Sequence, residues 1–133
     1  MQFTWLSRWQ PQLLAVLRIV AALLFLAHGT AKLWGFPVAV AGMPDPLPTI
    51  VVVAAWLEVV LGILLLVGFM TRLAAFIASG EMAVAYWMSH FPRDPWPVSN
   101  GGDAAILFCF VFLYIAAAGP GPWSVDGTRR PAR

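Results

Sequence analysis

The chain has 133 residues, 61% of them hydrophobic and 11% charged, where a soluble domain carries roughly 25% charged residues to wet its surface. That balance excludes a dissolved monomer and makes lipid the expected solvent of the outer face, while the length allows one transmembrane domain over residues 1–133. The net charge of +2 is scattered and partly sits inside apolar runs, which excludes a nucleic-acid surface, and the one cysteine, Cys109, excludes an intrachain disulfide, a redox cysteine pair and a thiolate metal site.

The first apolar span runs from about Leu13 to Trp34. Arg8 ahead of an apolar run resembles a signal peptide, but Arg18 and Lys32 interrupt and close it badly, so a retained helix is expected. At 100° per residue, Arg18, His28 and Lys32 fall within an arc of ~80° shared with Ala22, Phe25 and Gly29. They therefore face the protein interior. The second span, 47–69, carries Glu58 close to the bilayer midplane, on one stripe with Ala55 and Gly62. The third, 72–91, carries Glu81 at a similar depth, on one stripe with Ala74, Ala78 and Ala85.

An ionised side chain at that depth costs ~3 kcal/mol or more when it faces lipid unpaired. Small neighbours let helix backbones approach, so both glutamates are expected inside the bundle. The fourth span, 103–119, is the shortest and needs Ser99-Asn100-Gly101-Gly102 as a cap, or a locally thinner bilayer. Its Phe108, Phe110, Phe112 and Tyr114 read as lipid-facing or core surface, with flat rings able to line a site for a ring-shaped ligand. Cys109 reads as packing.

Each span is near the ~20 residues that cross a ~30 Å hydrocarbon core. All eleven prolines fall near span ends or outside them, and Trp5, Trp9, Trp34, Trp96 and Trp123 lie where amphipathic rings suit the headgroup layer. Arg8, Arg72, Arg129, Arg130 and Arg133 would share one side, with Lys32 and Arg93 on the other. Five against two puts both ends of the chain in the cytoplasm. The fold class is all-α: an integral membrane four-helix up-down bundle.

Lys32, His90 and Asp103 are expected at the outer mouth of that bundle, with Asn100 in the loop beside them. Across the membrane, Arg18 and Lys32 stand against Glu58, Glu81 and Asp103, one acid in excess. A protonated histidine or carboxyl would balance the set. The plainer reading is that contacts of the Arg18–Glu58 type only fix which helix packs on which. His28 alone reads as a hydrogen-bonded packing residue. A haem between the two histidines is disfavoured, because they differ in depth by ~6 Å. No metal site is expected.

These features together resemble the DoxX family of small four-helix bacterial membrane proteins. The resemblance rests on His28-Gly29 with Lys32, on Glu58 with Gly62, and on Gly68-Phe69-Met70-Thr71-Arg72. It continues through Met82-Ala83-Val84-Ala85-Tyr86 to His90, then Asn100-Gly101-Gly102-Asp103, and closes on Gly119-Pro120-Gly121-Pro122-Trp123-Ser124-Val125-Asp126. Asp103 stands where the family usually has glutamate. The resemblance implies a multi-pass protein of the bacterial inner (plasma) membrane. It also implies an association with quinone-linked oxidoreductases, with quinone or oxidative-stress resistance, or with membrane redox complexes.

The expected function is a redox accessory protein that binds a quinone-like or other small lipophilic molecule in an intramembrane polar pocket. Lys32, His90 and Asp103 would supply hydrogen bonds near the mouth, and Glu58 and Glu81 would hold or relay a proton. The chain has no redox centre of its own, so electrons would come from a membrane redox partner or from the bound molecule. A homo-oligomer is a further partner reading. The alternatives are a non-catalytic scaffold or assembly subunit and a small proton-coupled transporter. Whether the protein is an enzyme, and which ligand it takes, the residues leave open.

Overall fold

Glycine and proline set the helix ends. The computed structural model describes residues 3–129 and contains four long helices: α1 Gln10–Trp34, α2 Thr49–Val67, α3 Thr71–Ala85 and α4 Asp103–Ala118. Single helical turns precede α1 (Thr4–Ser7), precede α4 (Pro97–Asn100) and follow it (Val125–Thr128). No strand forms among the described residues. Arg130 and Arg133, which entered the orientation argument, lie outside them.

Pro11 sits in the first turn of α1, where its missing N–H would have no helical partner anyway. The helix therefore starts at Gln10, three residues before the expected span. Gly35, at φ 64°, ends it by donating its N–H to Ala31 O. Gly68, at φ 69°, ends α2 in the same way, and only Gly68, Phe69 and Met70 separate α2 from α3. So short a turn forces Met70, a non-glycine residue, to φ 49°.

The third expected span, 72–91, proves to be α3 running into a π-turn, Tyr86–His90, whose wide pitch shows in the bond from Phe91 N to Tyr86 O at 3.0 Å. By length and hydropathy α1 and α2 are candidate membrane spans, and α4 is a shorter apolar helix.

α1 packs chiefly on α2 and α3 chiefly on α4; the two hairpins meet more sparsely along α2–α3 and least along α1–α4. Glycine makes the α1–α2 contact close. A Cβ on Gly29 would lie 2.8 Å from the Ala55 carbonyl oxygen, and one on Gly62 would lie 3.0 Å from the Leu26 Cβ. The backbones touch there, as small residues allow between membrane helices.

The core is mostly alanine between larger plugs: Phe25, Leu65, Phe112 and Ile115 are fully buried, and the Phe25 ring meets Phe112 edge-on at 4.9 Å. Large apolar side chains such as Leu24, Ile63, Phe76, Leu107 and Phe110 are exposed on the outer faces. A soluble monomer would not present so much contiguous apolar surface.

Candidate functional site

Arg18 lies in the third turn of α1 and is fully buried. The expected Arg18–Glu58 contact does not form. The guanidinium instead meets backbone carbonyls: Nε donates to Pro120 O at 2.8 Å, Nη1 to Leu65 O at 2.7 Å and Leu66 O at 2.8 Å. Nη2 donates to Trp123 O at 2.8 Å and to Pro122 O at 3.4 Å. All five N–H groups of the side chain are used. Arg18 thereby ties carbonyls in the last turn of α2 to the segment after α4, which a compact ammonium could not do.

Further along α1, Lys32 Nζ donates to Glu58 Oε1 of α2 at 2.6 Å. Glu58 is only 2% exposed, so its carboxylate is withdrawn, while the Lys32 side chain stays 20% exposed. Close packing explains why it lies there: Gly29, one turn before Lys32, abuts the Glu58 Cβ. Glu81 of α3 is the third member. It lies within electrostatic range of Glu58 and Lys32, while direct contact is between Lys32 and Glu58.

The hydrogen bonds of this cluster do not balance. Glu58 Oε2 and both oxygens of Glu81 are buried and have no hydrogen-bond partner among the described residues. An unpaired buried polar atom costs about 1–3 kcal/mol. Three such acceptors within range of one ammonium call for a proton or a donor from elsewhere.

The other candidates stand apart. His28 is exposed, with its ring edge-on to Phe108 of α4 at 5.9 Å. It lies at the rim of the arc whose middle carries Arg18, Phe25 and Gly29, which explains its exposure. His90 is partly buried at the end of the π-turn, where its Nδ1 meets Asn100 O at 3.1 Å and its ring stacks on Tyr86. Asn100 is buried; its Nδ2 donates to Asp94 O at 2.9 Å and Tyr86 OH at 3.3 Å, and its Oδ1 accepts from Gly102 N at 2.7 Å. His90 and Asn100 thus fix the loop to the end of α3. Asp103 is exposed in the first turn of α4. Cys109 is partly buried, and its carbonyl accepts from the Ser79 hydroxyl at 2.7 Å.

Two further residues matter to this architecture: Arg72, which sequence reasoning used only to set orientation, and Asp126, which it gave no role. Arg72 Nη1 donates to Ala116 O at 3.0 Å and also to Ala117 O, closing the end of α4. The Asp126 carboxylate accepts from Met70 N at 3.0 Å and Thr71 N at 2.9 Å, capping α3 from 55 residues away, while its own N–H donates to Gly68 O at 2.9 Å.

Burial works against the charge on Asp126, but the N–H groups of Thr71 and Met70 and the nearby Arg129 outweigh it and hold the carboxyl below its ordinary range. A depressed carboxyl stabilises the fold fully above the unfolded value, about 4, and the contribution fades as pH falls through the folded value. Amide protection at Met70 and Thr71 is therefore expected to stay flat from pH 7 to about 4 and to fall below it. Loss already at pH 6 would contradict this cap.

A groove of about 640 Å³ opens between the start of α1 and the end of α4, lined by Leu13, Leu14, Leu17, Tyr114, Ala118 and Pro120. Leu17 is ~22 Å along the helix from Lys32, so this groove is distinct from the ionisable cluster.

Compared with known proteins, the chain matches the DoxX family model over residues 13–91, a stretch that holds Arg18, His28, Lys32, Glu58, Glu81 and His90. It is similar to an uncharacterized protein of Haemophilus influenzae, 41% identical over 128 residues that cover 91% of this chain and 93% of that protein. It is also similar to the inner membrane protein YphA of Escherichia coli, 31% identical over 128 residues that cover 88% of this chain and 90% of that protein. No solved structure matches it.

Proposed function

Because the chain belongs to the DoxX family, we propose that it is a bacterial inner-membrane protein that crosses the bilayer four times as an up-down bundle, with both ends in the cytoplasm. A relative named as an inner membrane protein supports the location. Two helices pass the length and hydropathy test. Thr71–His90 is long enough once the π-turn is included, and α4 is short enough to need a locally thinner bilayer. Arginines at the Arg8, Arg72 and Arg129 positions favour the orientation. A reporter that works only in the cytoplasm should be active when fused to either end, and activity from neither would reverse the topology.

In this reading the protein holds a small quinone-like molecule between its helices and exchanges protons with it, on behalf of a redox partner or a second copy. The observation that carries it is the imbalance at Lys32, Glu58 and Glu81: three buried carboxyl oxygens without hydrogen-bond partners among the described residues. Neutral aromatic ligands with polar edges suit a site of that kind.

Organic extraction of gently purified protein followed by mass spectrometry should yield a lipophilic ligand at stoichiometric level, and Glu81→Gln should lose it. Recovery of bulk phospholipid alone would remove the reading. The scaffold alternative draws on the Lys32–Glu58 bond, which already ties α1 to α2. It requires that Glu81→Gln leave ligand content unchanged and shed a co-purifying protein.

A further inference from the structure

We infer that the groove between the start of α1 and the end of α4 holds one anionic glycerophospholipid, of the phosphatidylglycerol class. An acyl chain lies in the groove and the phosphate lies on Arg72. The inference rests on the bilayer part of the reading above and not on its ligand.

The groove exists because α1 and α4 pack on each other only sparsely. The chain after α4 forms its floor. A Cβ on Gly121 would lie 3.0 Å from both Pro11 O and Ala15 N, so backbone is pressed on backbone there. Leu13 and Leu17 of α1 and Tyr114 of α4 are walls exposed on the outer face, and the small Ala118 leaves the space between them unfilled. At about 640 Å³ the groove is of ordinary size for a ligand site. Trp9 and Trp123 are exposed at the same end, where amphipathic rings mark the headgroup layer. From Gln10 to Leu17 the groove therefore runs ~10 Å inwards from that layer.

Charge identifies the occupant. A smaller cavity of about 350 Å³ lies beside Arg72, and Pro120 lines both. Arg72 Nη1 is engaged with Ala116 O and Ala117 O, while Nε and Nη2 have no hydrogen bond among the described residues. A Cβ on residue 119 would stand 3.1 Å from Nη2 and 3.6 Å from Nε; glycine keeps that edge clear. Two parallel N–H groups on one edge of a guanidinium suit two oxygens of a phosphate.

Arg8 and Arg129 each lie two residues from a lining residue, Gln10 and Gly127. Against these arginines stands Asp126, which shares the smaller cavity but whose oxygens already accept from Met70 N and Thr71 N. Basic pockets between membrane helices take anionic headgroups in preference to zwitterionic ones. A second copy seated here would instead bring its own arginines, like charge against like.

The test is native mass spectrometry of the full chain in detergent, with phosphatidylglycerol and phosphatidylcholine of identical acyl chains added in equal amounts. The phosphatidylglycerol adduct should be retained at least ~5-fold over the other, and Arg72→Gln should bring the two to parity. Leu17→Trp fills the groove, leaves every arginine in place and should remove the adduct.

Equal retention of the two lipids by the unaltered protein overturns the inference, even if a variant does not fold. An adduct that survives Leu17→Trp overturns it as well, as headgroup attraction alone. So does displacement by millimolar inorganic phosphate, or a lipid-free dimer as the main species. In each of these cases the bilayer reading stands; it falls only if the chain stays dissolved without detergent.

Discussion

Arg18→Lys is expected to loosen the end of the bundle that Arg18 holds almost as much as Arg18→Ala does. The native side chain serves five backbone carbonyls, two at the end of α2 and three in the segment Pro120–Trp123. A lysine ammonium has three donors and no planar fork, so at least two of the five carbonyls would lose their side-chain donor. Each buried carbonyl left without a donor costs about 1–3 kcal/mol. The melting temperature in detergent should fall by on the order of 10 °C for either substitution.

The readout that separates this role from general packing is local. Amide protection should be lost at Gly68 through Thr71 and around Ser124 to Asp126, because Asp126 depends on that segment being docked. A lysine variant within ~1 kcal/mol of the native protein, with that protection intact, would show that the carbonyls can be satisfied without Arg18.

The second large effect concerns the ion pair. Lys32→Met leaves Glu58 buried with no cation, and breaking such a pair from one side costs about 3–5 kcal/mol. Part of that cost is avoided if Glu58 takes up a proton. Adding Glu58→Gln removes the uncompensated charge, so the double variant should recover most of the lost stability. A coupling energy above ~1 kcal/mol from the four proteins would establish the pair as a unit. Simple additivity would mean that Lys32 and Glu58 act separately and that their contact adds little.

How much of this could be read from the residues depends on what the partner is. The Ala55–Glu58–Gly62 stripe pointed inwards because small residues mark where membrane helices touch, and all three are buried. The end of α1 at Trp34 was legible, whereas α2 stops at Val67, short of the expected Phe69, because Gly68 turns the chain at positive φ. Arg18 misled for a definite reason. Charge counting pairs a cation with an acid, whereas its true partners are main-chain carbonyls, which every residue has and no composition reveals.

Asp126 was missed because its partners are N–H groups on the other side of the chain, although it stood within the Gly119–Asp126 run that carried the family resemblance. His28 shows the limit of angular reasoning. The 100° rule gives a direction but not which neighbour covers it, and at the rim of the arc nothing does. The π-turn at Tyr86–His90 is a departure from the 3.6-residue period that the extrapolation assumed.

The partners of Arg18 also set an order of events during synthesis. Three of the five, at Pro120, Pro122 and Trp123, lie beyond α4, so they become available to α1 only after the rest of the bundle has been made. An arginine inside an inserting helix is penalised by as much as ~3 kcal/mol, which leaves α1 a reluctant passenger until the chain beyond α4 arrives. Translation products truncated before Pro120 should therefore be poorly retained and quickly degraded, whereas a chain that includes residues 120–123 locks α1 in place.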